Sequence, residues 1–212
     1  MTTSGQLRVT QWKGLGMYGD NRDIFWKVVT PTKENTRLLR DSIDFVAKKY
    51  PPPMSILDVG CKEGYSTSYW KKLGYDVLGT DIRDNFIEYG QRMGWPVIFD
   101  DMVNTKIRNK YDLVFLRHCL EHVKHDNAMF RNAVSCLNLN GIIVVQVPIE
   151  TKSQFEAHQR AKHLTYFKSL NNFRTDFLNG HLEVETIMCD MASNFGIDTA
   201  GMKDIFYIGQ KK

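Results

Sequence analysis

The chain has 212 residues, 42% of them hydrophobic, and a formal net charge of +4; that length fits one domain, or one domain with a terminal extension, and can bury a substantial core. Mean hydropathy is −0.36, and the longest apolar run, Gly141 to Val147, is far too short to span a bilayer as a helix. The basic residues are dispersed, unlike the clustered face of a nucleic-acid binder, and Cys61, Cys119, Cys136 and Cys189 form no C-x-x-C pair, which argues against a disulfide scaffold or zinc ribbon and suits a reducing compartment.

The first thirty residues are aromatic-rich and irregular, with Gly14, Gly16 and Gly19 breaking any periodicity. They contain no apolar signal segment, so the expectation is a soluble cytoplasmic protein. From Glu34 to Tyr50 the spacing of Leu38, Leu39, Ile43, Phe45, Val46 and Ala47 predicts an amphipathic helix, stopped by Pro51, Pro52 and Pro53. Residues 1–53 are therefore read as an N-terminal extension and helix, and residues 54–212 as the main domain. Trp12, Tyr18, Phe25 and Trp26 could form a lid, although large aromatics more often simply pack.

Apolar strands are then expected at Ser55–Val59, Asp76–Thr80, Pro96–Phe99, Tyr111–Leu116 and Gly141–Val147. Helices are expected at Ser66–Leu73, Asn85–Met93 and His125–Leu137, with Asn140-Gly141 as a helix-to-strand turn. Unbroken apolar strands separated by helices imply a parallel sheet covered on both faces. A polar insertion follows Pro148, then a helix over Leu170–Leu178 ended by Gly180, and strands at Leu182–Ile187 and Ile205–Ile208. Little helical pattern joins the last two strands, which suits an antiparallel return. The fold expected is a doubly wound, Rossmann-like α/β sheet of seven strands, mostly parallel, with an antiparallel last strand.

The stretch ILDVGCKEGY carries the chemistry. A strand ending in Asp58, followed by Gly60 and Gly64 and then a helix, places a loop and a helix N-terminus at the first crossover, where ligands bind in such sheets. Asp81 ends the second strand, 21 residues after Gly60, where a carboxylate can bind both hydroxyls of a ribose. A nicotinamide dinucleotide wants G-x-G-x-x-G and no anionic side chains beside its pyrophosphate. Here the loop is G-C-K-E-G, with Asp58 before it and Glu63 inside it. S-adenosylmethionine carries no phosphate and two cationic groups, so the same carboxylates favour it.

ILDVGCKEG, VLGTDI, YDLVFLRHCLEHV, LNLNGIIVVQVP and HLTYF, in that order, resemble the class I S-adenosylmethionine-dependent methyltransferases, in particular the branch with L-E-H-V after the fourth strand, similar to ubiquinone-pathway O-methyltransferases. The resemblance runs from Ser55 to the C-terminus. It implies that Asp58, Gly60 and Gly64 hold the methionine end of the cofactor, that Asp81 binds the ribose, and that Asp101 meets the adenine amino group with Met102 against the ring. Arg117 would line the site through its backbone. Lys62 departs from the family's usual glycine; with a negative φ it would alter the loop's shape without abolishing binding.

Histidines gather at RHCLEHVKH, positions 117–125. On a helical turn His118, Glu121 and His122 would share one face, and His163, in KHLTYF, would border the same pocket. Three roles compete: Glu121-His122 orients the fourth-strand loop; His122 or His118 acts as a general base; or His118, Glu121, His122 and His163 hold a divalent metal. The last is similar to the E-x-x-E-H motif with a later histidine in ubiquinone-pathway and small-RNA 2′-O-methyltransferases. With His118 in place of glutamate the donor set would suit Zn²⁺, Mn²⁺ or Fe²⁺ better than Mg²⁺. His125, His158 and His181 are expected on the solvated surface, and Tyr166 and Phe167 in packing or in the pocket wall.

The functional expectation is methyl transfer from S-adenosylmethionine to an oxygen or nitrogen of a small-molecule acceptor. The rivals are a metal-assisted methyltransferase acting on an RNA or sugar terminus and a non-catalytic cofactor-binding partner subunit.

Overall fold

A computed structural model describes residues 33–158 and 163–212. Helix α1 (Lys33–Lys49) precedes alternating strands and helices: β1 (Ser55–Val59), α2 (Tyr65–Lys72), β2 (Asp76–Asp81), α3 (Asp84–Arg92), β3 (Val97–Phe99), β4 (Tyr111–Arg117), α4 (Asp126–Ser135) and β5 (Leu137–Pro148). A short helix α5 (Lys152–His158) lies in the insertion, and α6 (Leu170–Asn172) continues through a wide turn, Phe173–Phe177, to Gly180. Strands β6 (Val184–Met191) and β7 (Asp204–Lys211) end the chain.

The seven strands lie in the order β3-β2-β1-β4-β5-β7-β6. Strands β1 to β5 pair in parallel, whereas β7 runs antiparallel between β5 and β6. The seven strands and the reversed last strand agree with the sequence-based expectation. Order reverses between β1 and β4, so the crevice beyond their C-terminal ends is the switch point where ligands bind in such sheets.

Period-two alternation assigns neighbouring residues to opposite faces. Leu57, Val59, Val114, Leu116, Ile143 and Val145 pack with Met129, Phe130 and Ala133 of α4 and with Phe173 and Phe177. Ile56, Leu113, Phe115, Ile142 and Val144 pack on the other face with Ile43 and Val46 of α1 and Trp70 of α2. Burying each of these large side chains contributes roughly 1.5–3 kcal/mol. Trp70 is fully buried, edge-on to Tyr75 and Phe115. Helix α1, grouped with the N-terminal extension from sequence, is thus an integral layer of the sheet. The lid aromatics Trp12, Tyr18, Phe25 and Trp26 lie outside the described residues.

One turn differs from expectation. Helix α4 ends at Ser135, and Asn140-Gly141 sits inside β5, where a bulge offsets the register from Tyr111↔Leu137 to Leu113↔Ile142. Asn140 takes φ 62°, and a Cβ on Gly141 would lie 2.9 Å from the Asn138 carbonyl, so the pair serves a bulge instead of a helix exit. Among the described residues no helix is long and apolar enough to cross a membrane.

Candidate functional site

The first crossover is built around two carboxylates, Asp58 buried and Asp81 half-buried. Asp58, 2% exposed at the end of β1, accepts hydrogen bonds from the Ser66 and Thr67 hydroxyls at 2.6 and 2.7 Å, tying the first turn of α2 to the strand. Burial pushes its pKa up to about 6, against the pull of those hydroxyls. Asp81, at the end of β2, accepts from the Lys62 amide through Oδ2 and the Arg83 amide through Oδ1, each at 3.0 Å. Burial raises its pKa as well. The hydrogen bonds described to both groups come from neutral donors.

Between them the loop spends its amides internally. Gly60 and Cys61 N–H donate to the Thr80 carbonyl, and Gly64 N–H to the Cys61 carbonyl. With Lys62 N–H given to Asp81, four amides that a pyrophosphate cradle would need are engaged elsewhere. Gly60 has φ 71° and a Cβ there would lie 2.6 Å from Cys119 Cβ; Gly64 has φ 94° and would meet Val97 Cγ1 at 2.7 Å. Lys62 corrects an expectation: its φ is +52°, so lysine holds the left-handed conformation and the loop keeps the shape glycine would give it.

Asp101 caps the short turn Met102–Asn104, accepting from the Val103 amide and the Asn104 side chain at 3.0 Å. Met102 is 3% exposed and belongs to the core, its carbonyl held by Asn132. Both therefore stabilise the third-strand loop, whatever else they meet.

Beyond β4 the histidines separate. His118 adopts φ +49° and the turn that follows, Leu120–His122, is a tight 3₁₀ turn, so the one-face arrangement expected of a helical turn does not form. His118 is half-buried between two carboxylates, with Nδ1 3.2 Å from Glu121 Oε1 and Nε2 3.0 Å from Asp204 Oδ2. Burial opposes its charge, but Asp204 and Glu121 outweigh burial and raise its pKa. Burial would likewise raise the two acids, yet His118 holds both below the ordinary range. Gln146 joins this cluster to α1: Nε2 donates to Asp204 Oδ2, and Oε1 accepts from Ser42, both at 2.6 Å. Arg117 sits beside it, burial lowering its pKa against Asp204, Glu121 and Asp58. The Glu121 carbonyl accepts from the Leu164 and Thr165 amides at 2.6 and 3.1 Å, so Glu121 fixes the insertion as well as the fourth-strand loop.

His122 faces His163, with ring centroids 4.8 Å apart. His163 Nδ1 also lies 2.9 Å from Glu150 Oε1, and His158 Nδ1 contacts the same oxygen. His158 thus belongs to a polar cluster, not simply to solvent, and His181, just past the turn Leu178–Gly180, is 2% exposed and packed on Phe130 and Phe177. Tyr166 stacks on Phe155, and Phe167 is a core residue. Sequence reasoning missed Asp204, Gln146, Ser42 and Glu150. Asp204 had a signal, a carboxylate directly before the apolar run IFYI; Ser42 and Gln146 had none, being joined only by the fold.

Residues 32–186 match a family described as methyltransferase domain, and the chain belongs to it. The chain is 30% identical over 107 residues to the probable S-adenosyl-L-methionine-dependent methyltransferase TehB of Haemophilus influenzae. That match spans 47% of this chain and 35% of that protein, so about a third of the relative's length. Two solved structures share the fold. A TehB-like methyltransferase from Corynebacterium glutamicum superposes with TM-score 0.62 at 20% identity, covering 81% of this chain and 88% of that one. Magnesium protoporphyrin IX methyltransferase from Synechocystis, with bound S-adenosylhomocysteine, gives 0.63 at 14% identity, covering 88% and 90%.

Proposed function

We propose that the protein transfers a methyl group from S-adenosylmethionine to an oxygen or nitrogen of a small-molecule acceptor. The observation that carries the cofactor assignment is the pairing of Asp58 and Asp81. They are two carboxylates, Asp58 buried and Asp81 half-buried, whose pKa values desolvation raises, beside a loop four of whose amides are already spent. Such a site repels a diphosphate and gains from a cation. Bound there, the cofactor would supply a methyl group already activated on a sulfonium.

In this reading Asp81 retains lone pairs for the two ribose hydroxyls, and Asp58, with Gly60 and Gly64, holds the methionine end. Asp101 and the Met102 loop flank the adenine, and Arg117 lines the floor. His122, partly exposed beside His163, would take a proton from the acceptor, a role supported by its exposure and imidazole chemistry. His118 has both ring nitrogens turned to carboxylates, so it positions Glu121 and Asp204 and does not act as the base. Small acceptors are consistent with the dispersed charge of the chain and with what fold relatives methylate. One is named for magnesium protoporphyrin IX, and another, from Burkholderia thailandensis at 15% identity and TM-score 0.62, for 1,6-didemethyltoxoflavin.

Calorimetry with S-adenosylmethionine, S-adenosylhomocysteine and NAD tests this. Both nucleosides are expected to bind and NAD to be silent. Asp81→Ala should lose ten- to a hundredfold in affinity, the worth of one or two hydrogen bonds to a charged group. Binding of NAD alone would overturn the assignment, and unchanged affinity in Asp81→Ala would remove that residue from the site.

A further inference from the structure

Among the described residues, two groups of three side chains bring their ligand atoms within 4.8 Å of one another: Glu121, His122 and His163, and Glu150, His158 and His163. His118, the fourth ligand expected from sequence, fits neither, since both of its nitrogens face carboxylates. Within the first group Glu121 Oε1 is also committed to His118.

The second group has the chemistry of a chelate. Glu150, 4% exposed, stands just past the end of β5, its amide bonded to the Phe167 carbonyl. His158 ends α5, and His163 follows five residues on. Both imidazoles turn Nδ1 toward one oxygen, Glu150 Oε1. His163 Nδ1 is buried 2.9 Å from that oxygen, yet the pair lacks hydrogen-bond alignment. Two donor atoms that close, with lone pairs not aimed at each other, have the separation of neighbouring ligands around a common ion. Metal–nitrogen and metal–oxygen bonds of ~2.0–2.2 Å place such ligands roughly 3 Å apart.

We propose that Glu150, His158 and His163 bind a divalent transition ion of the Zn²⁺ class. Two imidazoles and one carboxylate are a borderline-soft donor set that Zn²⁺, Co²⁺ or Mn²⁺ satisfies better than Mg²⁺. The half-exposed side chain of His158 leaves one side open to water or to an acceptor atom. The ion ties α5 to the end of β5 and so fixes the insertion that borders the crevice. This site is independent of the cofactor assignment.

The test is titration of the chelator-stripped full-length chain with Zn²⁺, and with Co²⁺ followed by its visible absorption, with S-adenosylmethionine calorimetry on the same preparations. One ion per chain is expected. His158→Ala and Glu150→Gln should weaken it tenfold or more, and His122→Ala less than threefold. His158 is half-exposed on a surface helix, so its alanine variant should melt with the parent, and Glu150→Gln keeps the side chain's shape. A wild-type chain that binds neither metal overturns the site. So does loss of the ion in His122→Ala with retention in His158→Ala, which would put it among Glu121, His122 and His163. Normal S-adenosylmethionine binding beside absent metal would sink this proposal alone.

Discussion

The two halves of the sheet's C-terminal edge treat buried acid in opposite ways. At β1 and β2, Asp58 and Asp81 are held by hydroxyls and amides, and burial leaves their pKa values raised. At β4 and β7, Glu121 and Asp204 clasp the imidazole of His118, and their pKa values stay low despite burial. The first half carries negative character that Arg117 and Arg83 offset only in part and that a cationic ligand relieves further. In the second, His118 and the neighbouring Arg117 offset the two acids from within, so it serves as a girder that holds the fourth-strand loop, the insertion and α1 in one register.

The sharpest way to break this contrast is at the girder. His118→Ala leaves two buried carboxylates without their cation, and removing one partner of a buried ion pair typically costs 3–5 kcal/mol. Urea unfolding at pH 7 is expected to show a loss of that order. A loss below about 1 kcal/mol would mean that water or Arg117 compensates the acids, and the two halves would then be alike.

The opposite outcome is expected at Asp58. Its carboxyl titrates at about 6 in the fold and near 3.9 in an unfolded chain. Raising the pH from ~4 to ~6 therefore ionises the unfolded chain first and lowers stability; above 6 the whole cost, about 3 kcal/mol, is in place. Asp58→Asn should stabilise the ligand-free protein at pH 7 by up to that amount, with the gain vanishing below pH ~4. The same substitution should weaken S-adenosylmethionine. In the wild type, affinity should fall as the pH drops below 6, because protonated Asp58 no longer favours a cation. Calorimetry between pH 5 and 8 checks the sign; affinity flat across that range would remove Asp58 from the cation's surroundings.

The difference between the halves also explains what the sequence discloses. Asp58, Gly60, Gly64 and Asp81 belong to one strand-loop-helix-strand segment, where local spacing sets the geometry, and the seven strands follow from apolar runs between helices. The girder joins Ser42, His118, Gln146 and Asp204 from four distant segments, and no local pattern announces it. A helical turn after β4 would set His118 on one face with Glu121 and His122, whereas its positive φ turns the ring toward Asp204. Glu150 carries no local signal and His158 reads as solvated surface, because only the fold brings this polar insertion back on His163.

The smallest effect is expected at Lys62, and it tests whether the loop's shape or its side chain matters. A Cβ at φ +52° costs about 1 kcal/mol, while glycine in its place adds roughly 0.5–1 kcal/mol of unfolded-state entropy. The two nearly cancel, so Lys62→Gly should shift the thermal midpoint by no more than about 2 °C. It should also leave S-adenosylmethionine affinity within threefold, since the amide that holds Asp81 remains. Gly64→Ala cannot cancel in this way, because its Cβ would press on Val97 Cγ1 at 2.7 Å as well as at a positive φ. If Lys62→Gly instead weakens the cofactor strongly, the lysine side chain takes part in binding, and the loop's chemistry is more than its carboxylates.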